Sequence, residues 1–319
     1  MKKLIAILML LIMIFVPGCG QKADEKEKVQ EKEEAVTFTD DLGREVTVKN
    51  PKRVAALIGS FAEIWQLAGG DVCATADDAW EDMGLTLEEG TINLGKTKSI
   101  SVEKLFEADP DFIIASANTR VNVELMDTLE STGVPTAYFE VSGFDDYLRV
   151  LKLFTKITGR EDLYQTNGLE VQTQIEDVIA KSKERLLDKE GPSVLFLRVS
   201  ATAIYAKNSY DSVLGEMLKA LGCRNIADEE DSLLENVSLE YILQMDPDYI
   251  FTVQLGGNPE GVKEHLDNLF AEDSAWATLT AVKEGRWYHM DKRLYNLKPN
   301  ARWGEAYEGL EEILAKEPR

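Results

Sequence analysis

The stretch SVEKLFEADPDFII starts at Ser101 and returns as SLEYILQMDPDYIF from Ser238. Both copies keep the serine, one glutamate, Asp-Pro-Asp and an isoleucine, while the other positions drift between residues of like polarity. One supersecondary unit written twice in a chain of 319 residues predicts two equivalent lobes rather than a single core. Each copy reads as a helix of about two turns feeding a core strand. Ser101 and Ser238 suit the N-cap. Val102, Leu105 and Phe106 share one helical face, as do Leu239, Ile242 and Leu243. Pro110 and Pro247 stop the helix by driving the preceding aspartate toward extended backbone. Glu103 and Glu240 follow the first apolar residue and therefore point outward. A capping box would put the acid at Lys104 and Tyr241 instead. A first-turn acid gains about 0.3–1 kcal/mol from the helix dipole, which accounts for one acid better than for a matched pair.

The rest of the body alternates. VTFTDDLGREVTVKNP reads as a hairpin and a proline break. VAALIG is a buried strand, followed by the helix SFAEIWQLAGG, which Ser60 caps with Glu63 completing a capping box. FIIASA and VPTAYFEV are further strands, and PSVLFLRVS, YIFTVQLGG and GRWYHMD repeat the scheme in the second half. Between the halves, residues 146–190 show no strand pattern. Leu163, Leu169, Ile175, Val178, Ile179 and Leu186 run at helical spacing toward Gly191-Pro192, about 27 residues and roughly 40 Å of helix. Gly168 interrupts that run. The fold class is thus α/β: two lobes, 37–145 and 191–319, each with a mainly parallel sheet flanked by helices, joined by one long bridging α-helix.

The N-terminus is not part of that body. MKK and LIAILMLLIMIFV form the basic and apolar parts of an export signal, residues 1–18, too short for an ordinary membrane span. Residues 19–36 carry dense mixed charge and little to bury, and read as a disordered tether. Cys73 and Cys223 fall in different halves and are expected as buried free thiols. The formal charge of −22 argues against nucleic acid and against adhesion to anionic lipid.

From Thr37 onward the chain resembles the helix-bridged (class III) substrate-binding lipoproteins of ABC importers for iron-siderophores, haem and cobalamin. The marks are DDLGREVTVKNPKRVAAL, GSFAEIWQLAG, AVKEGRWYHMD and the doubled phrase, in order along the body. Cys19, directly after Val16-Pro17-Gly18, resembles the lipidated cysteine of a bacterial lipobox. The resemblance implies a monomer exported and lipid-anchored at the outer face of the cytoplasmic membrane. It implies a dimeric ABC permease with its ATPase as partner, with arginines of the two permease subunits pairing with Glu103 and Glu240. It implies no catalysis and no resident cofactor or metal, the cargo being an Fe3+ chelate.

Ligands of open α/β sheets sit beyond the carboxyl ends of the strands. Residues readable there are Ser60, Trp80, Arg120, Arg198, Tyr205, Tyr295 and Arg302. Arginines suit the anionic oxygens of a ferric siderophore, and aromatic rings its flat arms. Haem or a corrinoid is the alternative cargo. Haem takes a histidine, tyrosine or methionine ligand, and both histidines, His265 and His289, read as structural. An enzyme is disfavoured: the chain has no Gly-x-Ser-x-Gly, Walker, Gly-x-Gly-x-x-Gly or His-Glu-x-x-His pattern. A surface adhesion lipoprotein would fit the anchor and leave the doubled phrase unexplained.

Overall fold

Two five-stranded sheets form the frame of the computed structural model, which describes residues 35–187, 189–210, 212–230 and 232–316. Strands β1 (Val36–Thr39) and β2 (Glu45–Val48) make an antiparallel hairpin. The Asp40 carboxylate accepts the Leu42 and Arg44 amides in its turn and the Tyr138 amide at the edge of the first sheet. That sheet comprises β3 (Val54–Ala56), β4 (Val72–Thr75), β5 (Ile92–Asn93), β6 (Phe112–Ser116) and β7 (Thr136–Phe139), in the order β5-β4-β3-β6-β7 with every neighbour parallel. The second sheet has β8 (Ser193–Val199), β9 (Ile204–Lys207), β10 (Arg224–Asn225), β11 (Tyr249–Gln254) and β12 (Trp287–Met290). Its parallel order is β10-β8-β11-β12, and β9 pairs antiparallel with β8. Helices cover both faces, which is why β6 is buried throughout and apolar up to Ser116 rather than alternating.

Helix α1 (Gly59–Leu67) follows β3, α2 (Asp78–Glu81) follows β4, and α3 (Val102–Glu107) feeds β6. Helix α4 (Phe144–Thr158) leaves the first sheet and ends at left-handed Gly159. The bridge then runs from Glu161 to Leu186: a short α turn, a π turn at Gln165–Leu169, and α5 (Glu170–Leu186). The π turn falls where Gly168 interrupts the sequence pattern. A Cβ on Gly168 would stand 3.1 Å from Leu148 and 3.2 Å from the Tyr164 ring. The widened turn leaves the Asn167 carbonyl to accept the Tyr147 hydroxyl at 2.7 Å. At the far end Ser182 donates to Leu221 and Arg185 pairs with Glu311 at 2.8 Å. In the second lobe α6 (Leu239–Met245) feeds β11, and α7 (Trp303–Leu314) packs along α5.

Each sheet has an outer apolar cluster of its own, around Leu105 and Tyr138 in one and Ile242 and Trp276 in the other. The inner faces share a single cluster. It runs from Phe61 and Trp65 through Phe154 and Val178 to Phe196 and Trp303. Prising the lobes apart would expose that shared core, so the bridge is stiff through packing as well as through its helix.

The doubled phrase folds alike in both lobes, with two corrections. Ser101 and Ser238 do cap, accepting the Lys104 and Tyr241 amides. The aspartates before proline, however, are left-handed: Asp109 at φ 47° and Asp246 at φ 40°. Proline disfavours the right-handed helical region for the residue before it, and a short polar side chain tolerates the left-handed alternative. The second aspartate of each motif pins the start of a neighbouring strand. Asp111 accepts the Lys52 and Arg53 amides ahead of β3, and Asp248 accepts the Ser193 amide that opens β8. The other correction concerns the apolar face. Leu105 and Ile242 are fully buried, whereas Phe106 and Leu243 are 44% and 37% exposed. Cys73 and Cys223 are both free thiols, but only Cys223 is buried as expected, Cys73 being partly exposed; Cys19 lies outside the described residues.

Candidate functional site

The carboxyl ends of the strands in both sheets open on one cleft of about 860 Å³. Its floor starts at α1. Gly59 opens that helix against α2, so closely that a Cβ would lie 2.6 Å from the Ala79 backbone. Its amide is capped by Asp78 Oδ1 at 2.9 Å. The capping box expected of Ser60 and Glu63 does not form, because Ile58 is the N-cap and Asp78 reaches the helix end from the next element. Ser60 instead lies buried in the first turn, lining the cleft. Burial pushes the Asp78 carboxyl up to about 6, with Asp82 and Asp77 adding to the rise and Lys298 opposing it.

The turn after β6 supplies Asn118, Thr119 and Arg120. Asn122 fixes it by accepting the Ser116 amide at 2.9 Å, while Ser116 Oγ donates to Asn118 at 2.7 Å. Arg120 is exposed and pairs with Glu124 at 2.6 Å. Lys98, from the loop after β5, and Ser142, beyond β7, complete the first lobe's wall.

The second lobe contributes Arg198 near the end of β8, Ser212 and Val213, and the loop Asn296-Leu297-Lys298. Asn296 anchors that loop by donating to the Gln254 carbonyl at the end of β11. Arg198 Nε is buried and has no hydrogen-bond partner among the described residues. Desolvation disfavours its charge and lowers its pKa. Burial likewise lowers the pKa of Lys298, against the pull of Asp78 and Glu140. The charged lining residues are therefore Lys98, Arg120, Arg198 and Lys298 against Asp78 and Glu124: an electropositive cleft in a chain of net charge −22.

Behind the cleft the lobes are latched. Glu63, from α1, accepts both Arg293 at 2.5 Å and the Asn300 amide of the second lobe. Burial raises the Glu63 pKa while Arg293 opposes the rise. Lys292 reaches Asp82 at 2.6 Å.

Of the residues expected at the site, Ser60, Arg120 and Arg198 line the cleft, and Trp80, Tyr205, Tyr295 and Arg302 do not. Trp80 is half-buried on α2. Tyr205 is exposed on β9, in register with Arg198. Tyr295 is buried, its hydroxyl donating to the Ala306 carbonyl at 3.0 Å, and serves packing. Arg302 is held by Glu305 in a two-point ion pair. A strand end fixes the rim on which a residue falls; the turn that follows decides which way it faces. Asp78, Lys98 and Lys298 sit in loops or on the neighbouring helix, where no periodicity marks them. Glu103 and Glu240 are exposed in the first turns of α3 and α6, and neither forms an ion pair among the described residues.

A family model described as "Periplasmic binding protein" matches residues 54–294. The chain is a periplasmic binding protein. It is 28% identical over 304 residues to the Fe(3+)-citrate-binding protein YfmC of Bacillus subtilis, covering 91% of this chain and 90% of the relative. It is 26% identical over 296 residues to the ABC transporter substrate-binding lipoprotein YvrC of the same organism, covering 90% and 88%. The crystal structure of Staphylococcus aureus SirA complexed with staphyloferrin B shares the fold at a TM-score of 0.66 and 20% identity, covering 89% and 100%. The binding protein is thus a helix-bridged substrate-binding component of an ABC importer, and not an enzyme.

Proposed function

We propose that this binding protein captures an anionic ferric-siderophore chelate in the inter-lobe cleft and delivers it to a dimeric ABC permease, held at the outer face of the membrane by a lipid on Cys19. Arg198 carries the reading. Its partly buried guanidinium, with a buried Nε that has no partner among the described residues, is costly to keep, and it offers a bidentate donor to a carboxylate, hydroxamate or catecholate oxygen. Lys98, Arg120 and Lys298 surround the same space. Glu103 and Glu240, one per lobe, are the carboxylates assigned to permease arginines.

Calorimetric titration with ferric citrate, a ferric hydroxamate, a ferric catecholate, haem and cobalamin tests this. Micromolar or tighter binding of one of the first three, weakened by Arg198→Ala, is the expected result. Haem is the competing outcome, since its propionates would suit the same cations and Met83 lines the cleft as a thioether ligand. The histidines lie elsewhere: His265 Nδ1 bonds the Ser200 carbonyl and His289 Nδ1 the Thr252 hydroxyl. Silence across the panel would overturn the importer reading.

A further inference from the structure

The two helices of the doubled phrase share more than an acid. Phe106 lies three residues after Glu103, and Leu243 three residues after Glu240. Residues at i and i+3 are neighbours on a helix surface, so each helix shows solvent a carboxylate beside a large apolar side chain. Seven large apolar or tyrosine side chains are exposed among the described residues, and two of them occupy this one equivalent position. The residue before each, Leu105 and Ile242, is wholly buried in its lobe's outer core. Intramolecular packing therefore uses Leu105 and Ile242 fully and leaves Phe106 and Leu243 partly exposed. Elsewhere the two copies have drifted freely, Lys104 against Tyr241 and Glu107 against Gln244.

We infer that Phe106 and Leu243 are a pair of apolar docking knobs, each seated beside its carboxylate on a partner with two equivalent sites, and that this partner is the permease. The inference rests on the proposed importer role and adds a second chemical component to the contact. The partner surface is specified twice over: a basic group to meet the acid, and one helical turn away an apolar socket. Two such sites must be spaced as α3 and α6 are, one per permease subunit. An anionic lipid surface does not fit, because Glu103 and Glu240 would be carried into contact with like charge. The knob supplies dry contact that excludes water around the ion pair, the arrangement in which an interfacial charge pair contributes most.

The test uses full-length lipoprotein and its permease in proteoliposomes, reading ATPase stimulation against binding-protein concentration, with the tightest-binding chelate of the panel as cargo. Phe106→Ser with Leu243→Ser should raise the half-maximal concentration about 100-fold, and each single change about tenfold. Chelate affinity and melting temperature should stay at wild-type values. Phe106→Leu should retain most of the stimulation, since an apolar side chain remains. Wild-type stimulation by the double serine variant would overturn the inference. So would an equal loss of its retention on protein-free vesicles, which would make the bilayer the occupant. If Glu103→Ala with Glu240→Ala were also silent, the docking role of these helices would fall as a whole. Loss of chelate binding by the wild-type protein would instead sink the importer reading itself.

Discussion

Two arginines of the second lobe, both drawn out of water, have opposite surroundings. Arg293 is clasped by the Glu63 carboxylate, which also takes the Asn300 amide, and together these close the back of the molecule. Arg198 lines the cleft with its Nε buried and unpartnered among the described residues. Removing water from a charge costs several kcal/mol unless a partner replaces it. The first arginine has its partner inside the chain and is scaffold. The second lacks one among the described residues, which is the ground for assigning it to ligand in the proposed function.

Substituting each arginine should separate the two roles. Arg293→Ala strands a buried Glu63 carboxylate and should destabilise the fold by about 3–5 kcal/mol, seen in urea unfolding. Glu63 would then hold its proton to still higher pH. Arg198→Ala should do the reverse: chelate affinity falls about 10- to 100-fold, while stability holds or rises because an uncompensated cation has gone. A melting temperature that drops for Arg198→Ala but not for Arg293→Ala would break the comparison.

Asp78 sharpens it through pH. Its folded value of about 6 stands above the ordinary 3.8, so the folded chain binds this proton more tightly than the unfolded one. Its contribution to stability therefore declines as pH rises from about 4 to about 6 and stays at that lower level above. An anionic chelate should gain affinity as pH falls through about 6 and this carboxylate loses its charge. The gain should be about fivefold, the effect of one screened charge at cleft distances. Asp78→Asn should flatten that profile. The smallest effect belongs to Arg120, exposed and already paired with Glu124. Arg120→Ala should weaken binding twofold or less at physiological salt.

Periodicity exposed the two lobes, the bridge and its weak point at Gly168, because apolar spacing and glycine act through local backbone preference. It also found Arg198, which stands in a strand whose direction and end are readable. Ser60 and Glu63 show the limit: their spacing fits a capping box, yet Asp78 from another element took the cap and Glu63 turned to Arg293. Tyr295 and Arg302 show it again, since each found a partner in or beside α7 that strand-end counting does not see. Lys298 entered the cleft on a loop without any pattern.

The sequence alone determined a duplicated α/β unit, the helix between its copies and the outward acids of each, since hydrophobic spacing, proline and caps operate within a few residues. Tertiary structure decided which charges are matched. Glu63 and Arg293 are 230 residues apart, and Arg198 Nε is left without a partner among the described residues of either lobe. It also decided that Phe106 stays partly exposed while Leu105 is buried, a choice between adjacent residues on a short helix that depends on where the lobe's core ends.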